Sequence, residues 1–308
     1  MSELAAASSY QVFGVGVYSQ IALTSNQVMS VDSSTESVLI HQGKIELPTS
    51  DVAQQIAACC FASASEIWLD IPNLAKFFIT ERDIIVDAVL GADADLIQVY
   101  LQGYALGVQA MLAGKMVLHA TTLSRNDKAI VLCGSSGSGK STIAAALLAK
   151  GFKLVSDEIT IIDQDGKVLP GFDDIKLWQD AVDVLKLPAQ CIQPLREVIN
   201  KVYFRPEQQK SQPVRPAVVY VLDTDNRQPA QLTELTGFAK FEPLQSHYYR
   251  AFLVKPLKRD KLYLTLSGKH LGALPLVSVS RELNRLDDAS LSKLADAINH
   301  DAMARGVK

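Results

Sequence analysis

The stretch KAIVLCGSSGSGKSTIAAALLAKG, residues 128–151, decides the fold. An apolar run ending at Cys133 leads into Gly134, Ser135, Ser136, Gly137, Ser138, Gly139, Lys140 and Ser141, and an Ala/Leu-rich segment from Thr142 to Lys150 follows. The octet matches GxxxxGK[ST], and its flanks predict a strand, a tight loop and a helix that Gly151 terminates. Glycines at 134, 137 and 139 permit positive φ and bring backbone N–H groups close to phosphate oxygens, while the helix start adds its dipole. In such a cradle Lys140 reaches the β and γ phosphates, Ser141 coordinates Mg2+ and Thr142 assists at the α phosphate. The ligands to expect are ATP and Mg2+, although no motif selects the base. The loop is neither a GxSxG nucleophile elbow nor a GxGxxG dinucleotide loop.

Working downstream, KLVSDEITIID (153–163) reads as a buried strand interrupted by Asp157 and Glu158, seventeen residues after Lys140. That distance holds one helix and one return strand, so both carboxylates reach the γ-phosphate end of the loop. One suits a metal, and the other suits orienting or deprotonating an attacking hydroxyl. Upstream, His119 lies in VLHATTL (117–123), the strand expected beside the one that feeds the loop. A lone strand histidine is more often a core residue than a ligand, and its own surroundings leave His119 open between the two.

Taken together, His119, GSSGSGKST and GFKLVSDE resemble the C-terminal domain of HPr kinase/phosphorylase and the related HPr-kinase-like serine kinases, whose core is shared with ATP-dependent phosphoenolpyruvate carboxykinase. YQVFGVGVYSQIAL and LPLVSVSRELNRLDD resemble the outer strands of these proteins, and the specific motifs span about 119–172. The resemblance implies a catalytic base at Asp157, His119 and Lys140 at the transferred phosphate, and a metal held by Ser141 and Glu158. Glu158 stands where the family has Asp, which moves that carboxylate out by one methylene. The Glu-x-Arg-Gly segment of the bifunctional enzymes is absent, so neither HPr as acceptor nor the reverse phosphorolysis is implied.

The rest of the chain sets the frame. Between Tyr10 and Val89, short alternating segments (YQVFGVGVY, SVLIHQGKIEL, EIWLDI, FFIT, DIIVDAV) predict a small β-rich domain over 1–94. A helix under an Asp95 cap is expected to run to Gly114, opening an α/β domain over 95–308 with a P-loop kinase core of HPr kinase/carboxykinase type. Beyond Gly171 the prolines predict a loop-rich stretch as far as the strand AVVYVL (217–222), and a helix over 288–303 closes the chain. Lys176, Lys201, Arg205 and Arg250 are candidates to neutralise the transferring phosphoryl group, each more readily read as solvated surface charge, with Lys201 and Arg205 in a Pro-flanked segment that suits a mobile lid.

Net charge is −3 over 308 residues, so no overall positive field favours nucleic acid or an anionic membrane. The four cysteines, Cys59, Cys60, Cys133 and Cys191, form no CxxC pair and have no histidine cluster beside them, which argues against zinc and a disulfide framework. The N-terminus has no basic region leading into an apolar core, and a cytoplasmic protein is expected. A homo-oligomer is compatible with the sequence. The reading that follows is a kinase passing the ATP γ-phosphate to a hydroxyl, of Ser or Thr on a protein or peptide. The alternatives are a small-metabolite kinase and a nucleotide-dependent binding or assembly module. An acid pair so soon after the loop, and no LSGGQ-like signature, argue against transport and motor ATPases.

Overall fold

The computed structural model describes residues 7–23, 36–194, 201–223, 231–280 and 288–308. It is a mixed α/β protein in two compact units, one built from Met1–Val117 with Tyr249–Thr265 and the other from Leu118–Tyr248 with Leu266–Lys308.

The first unit holds an eight-stranded sheet of β1 (Ser8–Val12), β2 (Val15–Ser19), β3 (Ser37–Gln42), β4 (Gln54–Ala57), β5 (Cys60–Ala62), β6 (Ile67–Ile71), β7 (Ala75–Ile79) and β8 (Asp83–Ala88). The strands lie in the order 1-2-3-8-7-6-5-4, with β2, β3 and β8 running parallel. Phe13 and Gly14 both adopt positive φ, which turns β1 tightly into β2. The short strands β4 and β5 flank a turn at Ala58 and Cys59, where neither length nor alternation had predicted a strand.

Helix α1 (Ala94–Tyr100) continues through a π-helical turn at Leu101–Ala105 into α2 (Leu106–Leu112). Its cap is Asp93 rather than Asp95: the Asp93 carboxylate accepts from Leu96 N at 3.0 Å. The domain cut expected at 94/95 is likewise displaced. The Tyr100 ring packs 5.9 Å from that of Phe77, and the buried Gln109 donates Nε2 to Glu81 O at 2.6 Å, so the helix is part of the first unit.

The second unit is built on β9 (Met116–Arg125), β10 (Lys128–Gly134), β11 (Lys153–Ser156), β12 (Ile159–Ile162), β13 (Val168–Leu169), β17 (Arg215–Asp223), β18 (Gln231–Leu235) and β19 (Leu276–Ser280). Its main sheet runs 13-12-9-10-17-19-18, with β11 pairing β9. β10, β17 and β19 are parallel, so their C-terminal ends lie on one edge; Gly134 stands opposite Leu222, one residue before Asp223. Helix α3 (Lys140–Leu148) starts two residues earlier than expected, and Gly151 at φ +88° ends the turn after it. α3 and the C-terminal helix α7 (Asp288–Ala304) pack Ile143, Leu147, Ile298 and Ala302 with Ile130, Leu132 and Val218 of the sheet, all fully buried. Each buried Ile, Leu or Val among them contributes roughly 1.5–3 kcal/mol.

The stretch expected to be loop-rich after Gly171 is instead structured. β14 (Ile175–Trp178), β15 (Ile192–Pro194) and β16 (Lys201–Phe204) form a small antiparallel sheet with β16 central, and α4 (Gln179–Leu185) follows β14. Lys201 and Arg205 therefore bracket a strand paired on both sides, not a lid. The closing turn expected in LNRLDD lies mostly outside the described residues, as does the N-terminal hexapeptide.

Candidate functional site

The glycine loop joins β10 to α3. Gly134 has a packing reason to be glycine, since a Cβ there would stand 2.4 Å from Ser138 Oγ and 3.0 Å from the Leu222 carbonyl oxygen. Gly137 and Gly139 adopt φ of +80° and +92°. Ser138 N donates back to Ser135 O at 3.1 Å and tightens the turn. Lys140, only 7% exposed, folds its ammonium over the loop and donates to Gly134 O at 2.7 Å and Ser135 O at 3.0 Å. Burial lowers its pKa, with Asp157 opposing. Two carbonyl oxygens of the loop thus hold the ammonium. Beneath the loop Cys133 is wholly buried and its thiol is pushed up to about 12, which makes it a packing residue and not a nucleophile.

The acid pair forms the bend between β11 and β12. Glu158 adopts φ +62° and Ile159 N closes the turn on Asp157 O at 2.7 Å, so the run expected as one strand is two. The bend aims both side chains off the sheet. Asp157 accepts from Thr121 Oγ1 at 2.5 Å and Lys176 N at 3.0 Å, and Ser141 Oγ stands 3.2 and 3.4 Å from its two oxygens. Glu158 instead accepts from Lys176 Nζ at 2.7 Å. Burial and the neighbouring Glu158 charge raise the Asp157 pKa. Burial also acts to raise that of Glu158, but Lys176 outweighs it and the net direction is down. Of the two carboxylates Asp157 therefore holds a proton more readily, while Lys176 favours the ionised form of Glu158.

His119, Lys140, Ser141, Thr142, Asp157 and Glu158 line one cleft. Ser136, Gly137 and Gly139 line it too, whereas Gly134 and Ser138 lie below it and Ser135 serves through its carbonyl. Of the four basic candidates, Lys176 and Lys201 reach the cleft. Arg205 turns to Asp173 at 3.4 Å. Arg250 belongs to the other unit, its guanidinium 4.6 Å over the Tyr104 ring.

Three residues escaped the sequence reading. Trp178 lines the cleft from β14. Asp223 ends β17 beside the loop, and the apolar run VVYVL before it was the available signal. The His247 carbonyl oxygen accepts from His119 N at 2.8 Å, and burial followed by the Lys140 charge lowers the imidazole pKa. No local pattern marks it.

The metal expected at Ser141 and Glu158 meets a different pairing, because the carboxylate beside the Ser141 hydroxyl is that of Asp157. Among the described residues no group of three or more His, Cys, Asp or Glu side chains is gathered for a metal. The hydroxyl and the two carboxylates are all hard oxygen donors, which fits Mg2+ held jointly by one or two carboxylates and a substrate's phosphates. Among the described residues no helix is long and apolar enough to cross a membrane.

No protein-family model matches the chain, and no curated protein matches it. Among solved structures it is similar to the Hpr(Ser) kinase/phosphatase from Coxiella burnetii, at 12% identity over 62% of this chain and 94% of that one, with a TM-score of 0.31. A likeness that loose carries no argument about function.

Proposed function

We propose that the second unit is a P-loop kinase core of HPr kinase/carboxykinase type that transfers the ATP γ-phosphate to a hydroxyl, of Ser or Thr on a protein or peptide. The observation that carries this reading is the Asp157 carboxylate, which stands against Ser141 of the glycine loop with its pKa raised by burial and by Glu158. A carboxylate so placed, beside a lysine that can turn from two carbonyls to a phosphate, supplies proton acceptor and charge in one cleft.

The roles follow from the chemistry. Lys140 leaves Gly134 O and Ser135 O to hold the β and γ phosphates, and backbone N–H groups of the loop hold the rest. Mg2+, when bound between Ser141 and the acid pair, supplies positive charge to the phosphate oxygens. Asp157 takes the proton as the acceptor oxygen bonds to the γ phosphorus and the bond from that phosphorus to the bridging oxygen breaks, leaving ADP. Lys176 keeps Glu158 ionised, and His119, whose charge also favours the ionised form of Glu158, lines the same cleft.

The test pairs transfer of labelled phosphate from ATP, to Ser/Thr peptides and to small hydroxyl metabolites, with a separate measurement of Mg·ATP binding. Asp157→Asn is expected to lower kcat by roughly 10²–10⁴ while ATP still binds. Unchanged transfer by this variant would sink the base assignment. Tight ATP binding by the wild type with an ATP-dependent complex and no transfer to anything would favour the binding-module reading instead.

A further inference from the structure

Strand β14 alternates: Ile175 and Leu177 are buried, while Lys176 and Trp178 face the cleft. Lys176 is the point where β14 meets the acid pair, through its N to Asp157 and its Nζ to Glu158. Two residues on, roughly 6.5 Å farther along the strand, the indole of Trp178 stands 51% exposed. Its cross-strand partner is Lys201, whose Nζ lies 4.7 Å over the ring centroid.

The cleft's charges do not close among themselves. Lys140, Lys176 and Lys201 line it against Asp157 and Glu158. Lys140 is engaged by the loop and Lys176 by Glu158, whereas among the described residues no carboxylate lies within ion-pair distance of Lys201, whose charge reaches Glu158 only at longer range. An ammonium held over an exposed indole is fixed in place and partly dehydrated. It recognises an anion, while the free edge of the ring accommodates the body that carries it.

We propose that Trp178 and Lys201 form an acceptor-side subsite that selects a hydroxyl compound bearing a carboxylate close to the reacting hydroxyl. The proposal rests on the phosphotransferase reading above. A Ser/Thr peptide with an acidic neighbour and a small hydroxy acid share this chemistry, and the probes separate them.

The experiment measures transfer from labelled ATP to Ser peptides flanked by Glu, Gln or Lys, and to glycerate against glycerol, by the wild type, Lys201→Met and Lys201→Glu. The quantity read is the ratio of kcat/KM between acidic and basic or neutral probes, which a general loss of activity leaves alone. The wild type is expected to favour the acidic probe by up to about fivefold, the worth of one half-exposed charge pair. Lys201→Met flattens the ratio and Lys201→Glu inverts it towards Lys-flanked peptide. A ratio that survives Lys201→Glu overturns the subsite, as does an effect confined to the KM for ATP, which would assign Lys201 to the nucleotide. Failure of the wild type to bind Mg·ATP sinks the phosphotransferase reading itself. ATP bound and transferred without charge preference sinks only the subsite, whereas ATP bound and transferred to none of the probes takes the phosphotransferase reading with it.

Discussion

Asp174 is 7% exposed, its Oδ2 has no hydrogen-bond partner, and burial with the nearby Asp173 and Asp157 charges pushes its carboxyl up to about 7. The folded chain therefore holds a proton there that the unfolded chain releases near the ordinary carboxylate value. Stability from this group is present at low pH and lost as pH rises through the window from about 4 to about 7, by an amount of order 4 kcal/mol. Asp174→Asn should melt higher than the wild type at pH 8, with the difference shrinking towards pH 4; parallel melting curves across that range would refute the assignment. Asp157 gives a second prediction of opposite observable. As a base it must lose its proton, so kcat should rise with pH through a midpoint above the usual aspartate value. Glu158→Gln removes the neighbouring charge that helps raise it, and should move that midpoint down. Gly134→Ala should abolish Mg·ATP binding and destabilise by about 1–3 kcal/mol, because the added methyl meets Ser138 and the Leu222 carbonyl. At this scale the loop and acid pair were legible in sequence because each function needs a fixed residue type at a fixed spacing. The pairing of Ser141 with Asp157 rather than Glu158 was not, since it follows from the positive φ of Glu158.

Among the elements, β14 carries the most consequence for its length. Its core face holds Leu177 at 1% exposure and its cleft face holds Trp178. Leu177→Ala should cost about 2–5 kcal/mol through the cavity it leaves, whereas Trp178→Ala should change stability by less than about 1 kcal/mol and show itself in acceptor kinetics. Chemical denaturation of both variants checks this, and a comparable loss in each would mean that β14 is not two-faced. Strands of three or four residues in a proline-punctuated stretch offer too few alternations to register as a period, so this sheet read as loop. The longer β9, β10 and β17 were legible because ten, seven and nine residues of apolar sequence constrain the backbone strongly.

For the whole molecule, the chain leaves the first unit at Val117 and returns to it for Tyr249–Thr265. The returning segment completes that unit: Arg259 donates Nε to Met111 O at 2.9 Å and Nη2 to Leu112 O at 2.7 Å, and Tyr263 Oη receives Val117 N at 3.1 Å. Arg259 thus satisfies two carbonyls at the C-terminal end of α2, where its charge also complements the helix dipole. Arg259→Ala should destabilise by about 1.5–3 kcal/mol, and Arg259→Lys should recover only part, because an ammonium lacks the planar fork; full recovery by lysine would argue for charge alone. A cut at residue 94 followed composition, which changes from strand-like to helix-like there, but burial binds that helix to the strands before it. What the sequence determined by itself was local: a glycine loop between strand and helix, an acid pair one strand later, a histidine one strand earlier, and an α/β chain to hold them. Only the tertiary structure decided that these three meet in one cleft, that Lys176, Trp178 and Lys201 join them from a sheet no pattern announced, and that a segment 130 residues downstream closes the first unit. Those outcomes depend on contacts between residues distant in the chain, whose energies no local spacing records.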